Sequence, residues 1–326
     1  MSVLCAAALL LAFVVSACGS DSGSSSATAS SGGGDGKLTT VKVGTLPISA
    51  LAPLYLGIER GIFRRHGLDV QPQIAQSGAA IVPAVVSGDQ QFGFANVVSV
   101  MVAKDKGLPI RIVAQGSQAG PGPSQRFEGV IVKKGSDITS PSDLAGKTMA
   151  VNAVNDIGGL LIEGALERDG VDTSSIRFVE IGFPDANTAV DAGRVDAAYQ
   201  TEPFLSQAVA AGDRVVLYQY PTLGREITIG SYFTGDQYAQ QNPQVVREFR
   251  DAMNESLQYA TAHDDEARQA VTTFTRIPPA AVRAMTMPSF NTDLDPESSG
   301  LSLIGQLAVQ QRLIRTAPDF DQLIVP

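Results

Sequence analysis

An α/β protein built of two similar lobes that face each other is what this sequence predicts, and three observations carry it. The first is the stretch 189–204, AVDAGRVDAAYQTEPF: a helix tail stops at Gly193, a strand runs over 195–199, and Gln200-Thr201-Glu202-Pro203 opens a new helix. The second is an earlier copy of this pattern, VVSGDQQFGFAN over 85–96, with Gly88 in the place of Gly193 and a strand over 91–95. The third lies upstream of each copy, where a helix closed by glycine is followed by a strand: ERGIFRRHGLDVQPQI from Glu59 and GALERDGVDTSSIRFVEI from Gly164. The distance from Gly67 to Gly88 nearly equals that from Gly170 to Gly193, so the register survives over a whole unit. Such turns put polar groups at the carboxyl ends of parallel strands, where open α/β sheets bind ligands. The expectation is a small ligand held between the strand ends of the two lobes.

Composition narrows the classes of function. With 326 residues, 44% of them hydrophobic and 17% charged, the chain has ample core and length for two domains. A formal charge of -9 without a Lys/Arg cluster argues against nucleic acid. Arg64-Arg65-His66 with Arg60 reads as the solvated face of a helix. The two cysteines, Cys5 and Cys18, both fall near the start, so the folded part holds no disulfide framework and no cysteine metal cluster. His66 and His263 have no ligand spacing between them. Neither a metal site nor a cofactor is expected.

Residues 3–15 are apolar and uncharged. Taken to Ala17, this stretch is shorter than the roughly 20 residues that a membrane-spanning helix needs. It reads as the apolar part of a secretory signal over 1–17, although no Lys or Arg precedes it. Val15-Ser16-Ala17-Cys18 resembles the bacterial lipobox, which makes Cys18 the expected lipidation site; an ordinary signal with a chance cysteine is the plainer alternative. Residues 19–36, GSDSGSSSATASSGGGDG, cannot bury a core. As a flexible chain they span roughly 23 Å. Residues 18–36 thus read as a lipidated cysteine and linker, which together with the signal imply an extracytoplasmic domain anchored to the outer face of a bacterial membrane.

Folded sequence begins with a strand over 41–45, a loop over 46–50 and a helix entered near Pro53. A strand over 71–75 leads through Gln76-Ser77-Gly78-Ala79-Ala80 into a helix over 81–86. Ser77 and Gly78 would let backbone amides approach an anion, but a plain Ser cap with a Gly turn explains them better. Another strand runs over 110–115, and residues 116–124, GSQAGPGPS, form a loop and candidate crossover between lobes. A strand over 129–133, a helix start at 140–144 and a strand over 148–152 follow. The last of these feeds 153–159 into a helix over 160–168. The second lobe closes with a strand over 215–218, and an alternating stretch over 226–233 carries the chain back to the first. The expected division is 37–124 plus 226–326 for lobe one and 125–225 for lobe two. Val245, Phe249, Met253 and Leu257 recur four apart and read as a core stripe, and the tail around Phe320 is expected to pack on lobe one.

No G-x-S-x-G, Walker loop, zinc motif or G-x-G-x-x-G occurs. Asp264-Asp265-Glu266 beside His263 reads as a solvated helix start. Glu202 stands where it would accept from a ligand or complement a helix N-terminus, two readings of equal standing. Asn96 ends a strand in the other lobe and both donates and accepts. These are groups for binding; no activated nucleophile or matched acid–base pair stands out, so an enzyme is not expected.

Five short motifs now fall in a recognisable order: Gln76-Ser77-Gly78-Ala79-Ala80-Ile81-Val82, Ser87-Gly88-Asp89, Ser142-Asp143-Leu144-Ala145-Gly146-Lys147, Gly193-Arg194-Val195-Asp196-Ala197-Ala198-Tyr199 and Glu202-Pro203-Phe204. Over essentially all of 37–326 the chain resembles the nitrate/sulfonate/taurine-type (NMT1/THI5-like) substrate-binding proteins of ABC transporters, a group that includes binders of pyrimidine precursors. The resemblance implies a type II periplasmic-binding-protein fold: two α/β lobes, two crossover segments and a cleft that closes by a hinge. It implies a monomeric receptor that delivers a sulfonate-, nitrate- or taurine-like solute to a permease and its ATPase. A pyrimidine, thiamine-precursor or aromatic solute is the alternative, and a thiamine-pyrimidine synthase-like enzyme the more distant one.

Residues carried over from the family are Leu46, Pro47 and Ser49 in the loop after the first strand, and Ser77, Gly78 and Ala79 in the next turn. With them come Asn96 and Val97 at the end of a strand, Asn155 and Asp156 at the helix start of lobe two, and Thr201 and Glu202 before Pro203. Three departures bear on the solute. Val97 and Val98 replace small hydroxyl residues, Asn155-Asp156 replaces Ser/Thr, and Thr201 stands where many members carry Trp. A carboxylate about 4 Å from an anion costs roughly 4 kcal/mol at an effective dielectric of 20, near a thousandfold in affinity. If Asp156 faces the cleft, a cation or hydrogen-bonding heterocycle is favoured; if it is an outward cap, the anion stands.

Overall fold

The computed structural model describes residues 38–326 except 121, 123 and 124. The signal and linker expectations, Cys5 and Cys18 included, fall outside the described residues. Among those residues no helix is long and apolar enough to cross a membrane.

The chain opens with β1 (Thr39–Thr45), α1 (Ala52–Glu59), α2 (Ile62–Arg65), β2 (Leu68–Ile74), α3 (Gly78–Ser87), β3 (Phe92–Asn96), α4 (Val97–Asp105) and β4 (Ile110–Ala119). It continues with β5 (Glu128–Val132), β6 (Thr148–Val151), α5 (Ile157–Arg168), β7 (Arg177–Glu180), α6 (Phe183–Asp191), β8 (Ala197–Thr201), α7 (Phe204–Ala211) and β9 (Arg214–Leu217). Then come β10 (Ile227–Gly235), α8 (Asp236–Gln241), α9 (Pro243–Ala262), α10 (Asp264–Phe274), α11 (Pro279–Ala284), α12 (Leu301–Gln310) and α13 (Phe320–Leu323).

These strands make two five-stranded sheets of one design. The first has the order β2-β1-β3-β10-β4 and the second β7-β6-β8-β5-β9. In each, three strands run parallel (β2, β1, β3 and β7, β6, β8) and the fourth position is antiparallel to both its neighbours. That odd strand is β5 in one sheet and β10 in the other, the two strands entered by crossing from the opposite sheet. The repeat read from the sequence is thus a repeat of sheet order, and the chain crosses between sheets after β4 and after β9.

Glycine turns end the repeated helices as expected. Gly67, Gly88, Gly170 and Gly193 all adopt positive φ, between 65° and 84°, where a side chain would be strained. The stripe on α9 is a core face: Phe249, Met253 and Leu257 are fully buried, while Val245 is half-buried at its edge. Phe249 stacks on Phe92 of β3 with ring centroids 3.8 Å apart, which fixes α9 against the first sheet. The tail packs on that sheet too, through a parallel bridge from Ile324 to Ile112.

Several boundaries differ from expectation (β2 starts at Leu68 and α3 at Gly78, each three residues early), and three of the differences have a reason of pairing or capping. Strand β4 runs on to Ala119, where a loop from Gly116 was expected, because β10 pairs with it along its length around register shifts at Gly230. Strand β8 reaches Thr201, taking Gln200 and Thr201 out of the turn, because β5 pairs with it as far as Glu128↔Thr201. Helix α5 starts at Ile157, a turn earlier than the apolar pattern suggested, because the Asp156 carboxylate caps it.

Candidate functional site

The two sheets meet at one edge. Parallel strands β1, β3, β6 and β8 end there, and the antiparallel strands β10 and β5 begin there. Polar groups from both sheets gather around a small cavity of about 30 Å³, lined by Leu46, Ile48, Phe94, Asn96, Ser117 and Gly230 from the first sheet and its loops. From the second come Glu128, Asn152, Asp156, Ile157, Phe183 and Tyr199. This volume holds one or two waters, so a larger guest requires the sheets to part.

Two carboxylates dominate the second-sheet wall. Glu128, the first residue of β5, accepts hydrogen bonds from the hydroxyls of Tyr199 and Tyr220, which lie 3.2 Å from each other. Burial raises its carboxyl to about 7 despite those donors. Asp156 is completely buried and accepts from the amides of Gly158 at 2.9 Å and Gly159 at 3.3 Å. Burial raises it to about 7 against those amides, and the charges of Glu128 and Glu180 push the same way. No lysine, arginine or histidine is among the residues that line the cavity.

Glycines let the aromatic walls approach. A Cβ on Gly158 would meet the Tyr199 ring at 2.5 Å, so glycine at the second residue of α5 is what allows that ring, and with it the hydroxyl on Glu128, into place. A Cβ on Gly230 would meet Phe94 at 2.3 Å, where the β10 bulge brings the ring over the strand. Phe183 stands edge-on to Tyr199 with centroids 5.8 Å apart.

Asn96 joins the two halves. Its Oδ1 accepts from Ser99 N at 2.9 Å, capping α4, and from Ile157 N at 3.4 Å in the other half. Its Nδ2 donates to Asp156 Oδ2 at 3.3 Å. Two helix N-termini therefore point at each other with an asparagine and an aspartate between them. A second link runs from Ser49 N to Glu202 O at 2.9 Å.

Of the residues singled out from sequence, Leu46, Asn96 and Asp156 come together at the cavity. Asp156 caps α5 and lines the cavity at once, so it is a cap that faces the cleft and not one turned outward. Pro47, Ser49, Val97, Thr201 and Glu202 lie outside its lining, and so do Ser77, Gly78 and Ala79. Ser77 caps α3 by accepting from Ala80 N at 3.3 Å, and a Cβ on Gly78 would meet Ala95 at 2.7 Å, so this turn packs α3 onto β3. Ala79 and Asn155 line a separate shallow groove with Val154 and Val102. Glu202 turns to α7, accepting from Ser206 N and Oγ at 3.0 and 2.8 Å, and from Thr286 N at 3.2 Å. The sequence reading missed Phe94, Ser117, Glu128, Asn152, Phe183 and Tyr199. Glu128 left a signal, a lone acid at the head of the otherwise apolar Phe127-Glu128-Gly129-Val130-Ile131-Val132.

Two facing α/β sheets, crossed twice by the chain and enclosing a polar cavity at their shared edge, are the type II periplasmic-binding-protein fold. The family model described as NMT1/THI5 like matches residues 49–267, and the chain belongs to that family. A taurine-binding periplasmic protein of Escherichia coli is 28% identical over 204 residues, 62% of this chain and 61% of its own length. A 4-amino-5-hydroxymethyl-2-methylpyrimidine phosphate synthase of Saccharomyces cerevisiae is 24% identical over 227 residues, 64% of this chain and 63% of its own. The chain thus spans somewhat under two thirds of these curated relatives. Among solved structures, the zinc-bound ligand-binding component of an ABC-type import system from Staphylococcus aureus superposes with a TM-score of 0.76 at 16% identity, covering 88% of this chain and 97% of that one.

Proposed function

We propose that the chain is the solute receptor of an ABC-type importer, which closes on a small molecule and presents it to a permease and its ATPase. One observation carries this: the cavity is built from equivalent ends of two sheets, which the chain crosses between after β4 and after β9, with bonds such as Asn96–Asp156 spanning it. Residues 37–124 with 226–326 act as one lobe and 125–225 as the other, swinging about those crossings. The receptor works as a monomer outside the cytoplasm, tethered through Cys18. Leu46, Asn96 and Asp156 touch the solute together with Glu128, Ser117 and Tyr199.

The family brings two solute classes, sulfonate-, nitrate- or taurine-like ions and pyrimidine precursors or aromatic molecules. It also brings a synthase reading, which by resemblance asks for a cysteine–histidine site for iron. The two histidines do not fit that role here: His66 is bonded to Glu255 at 2.8 Å and His263 to the Tyr259 carbonyl at 2.9 Å, and neither lines the cavity. Groups that bind without transforming favour the receptor.

The test is native mass spectrometry of the purified protein for a carried-over small molecule, followed by a thermal-shift panel. A ligand at a hundred times its Kd stabilises by about 2.7 kcal/mol. A bound molecule released unchanged, with binding weakened by Asn96→Ala, is the expected result. Chemical turnover of the bound molecule would overturn the receptor reading.

A further inference from the structure

Resting on the receptor reading, we propose that the cleft selects a small nitrogenous cation, such as a protonated amine, amidine or amino-heterocycle. Glu128 and Asp156 receive its N–H groups, and simple oxyanions are turned away.

The lining sets the sign. Its two ionisable carboxyls are Glu128 and Asp156, and no basic side chain stands among the residues around the cavity. The donors that would hold an anion are the N-termini of α4 and α5, which carry the positive ends of their helices. Both are already engaged. Asp156 Oδ1 takes the Gly158 and Gly159 amides, and Asn96 Oδ1 takes those of Ser99 and Ile157. An oxyanion arriving at this edge finds these four amides taken and a carboxylate in the place it would occupy. Repulsion at about 4 Å is worth roughly a thousandfold in affinity at an effective dielectric of 20.

A cation meets the opposite situation. Asp156 Oδ2 is held across the gap only by Asn96 Nδ2 at 3.3 Å, a contact that separates when the sheets part. Glu128 presents its carboxylate from the same wall. The Ser117 hydroxyl, 1% exposed and without a hydrogen-bond partner, lines the opposite wall and supplies a further polar contact. Phe94, Phe183 and Tyr199 offer aromatic surfaces to a planar cation. The ionisable groups that act on the two carboxyls are Tyr199 and Tyr220 at Glu128, and Glu128 and Glu180 at Asp156. Both carboxyls are raised to about 7, so a cation binds more tightly as pH rises from 6 to 8, and an oxyanion less tightly.

Calorimetry and thermal shift at pH 6 and 8, with methylguanidinium and benzamidinium set against nitrate and methanesulfonate, test this on the purified protein. The expected result is stabilisation by the cations alone, stronger at pH 8. Glu128→Gln and Asp156→Asn, an isostere and a residue that still caps a helix, should each weaken it by roughly 10- to 100-fold. Should Glu128→Gln fail to fold, Asp156→Asn and the pH arm decide alone. Nitrate or methanesulfonate binding that is lost in Asn96→Ala would overturn the cation assignment and leave the receptor standing. Cation binding indifferent to both carboxyl variants and to pH would also overturn it. No binding by any of the four, with no molecule carried through purification, would overturn both readings.

Discussion

Burial holds the Glu128 carboxyl near 7 even though two tyrosine hydroxyls donate to it, and the fold bears the cost of ionising it. A carboxyl whose folded pKa exceeds its unfolded value near 4.3 favours the fold while protonated. That contribution is complete below the unfolded value and is lost as pH climbs to about 7; Asp156 and Glu202 share the direction. Melting temperature should therefore fall between pH 5 and 8, and Glu128→Gln should flatten the fall by removing one of three titrating groups. A wild-type melting curve unchanged across that window would show that these carboxyls are not buried as described. Asp156 was legible in the sequence because an acid beside Asn155 stood where the family carries hydroxyls. Glu128 was harder to find: its partners Tyr199 and Tyr220 come from distant segments, and it takes the pairing of β5 with β8 for the first and with β9 for the second to bring them to it.

Helix α5 and strand β8 depend on one missing methyl group. Gly158→Ala would drive a Cβ into the Tyr199 ring, and overpacking of this sort costs about 1–3 kcal/mol. Denaturant unfolding should show that loss, together with weaker solute binding as Tyr199 leaves Glu128; a neutral effect would mean the ring yields freely. At α9, Phe249→Ala removes a ring stacked on Phe92 and should destabilise by about 3–5 kcal/mol, read from the same unfolding curves. Periodicity gave away this helix, since an i, i+4 apolar stripe has one meaning on a long amphipathic segment. Strand ends were less legible. The ladder between β5 and β8 extends past the point where local pattern and a coming proline suggest a turn, and β4 continues through Gly116 because Phe94 covers it. Tertiary pairing decides such boundaries.

Across the molecule, contact between the lobes is slight at the cavity. Asn96 provides two hydrogen bonds there, to Asp156 and from Ile157; away from it, Ser49 N and Thr286 N bond to Glu202, and Gln311 Nε2 to the Leu160 carbonyl. Asn96→Ala removes the first two and the cap of α4, worth about 1 kcal/mol for the cap alone. Small-angle scattering of this variant should give a larger radius of gyration than the wild type, drawn back by saturating solute. Equal radii would show that the lobes are held together elsewhere. The order of strands has a further result. All five strands of the second sheet lie in one uninterrupted run from Glu128 to Leu217, whereas the first sheet must wait for β10 to fill the slot between β3 and β4. As the chain leaves the ribosome, the half begun second is therefore the first whose hydrogen-bonded ladder can be completed, and the half begun first stays unfinished until it has emerged.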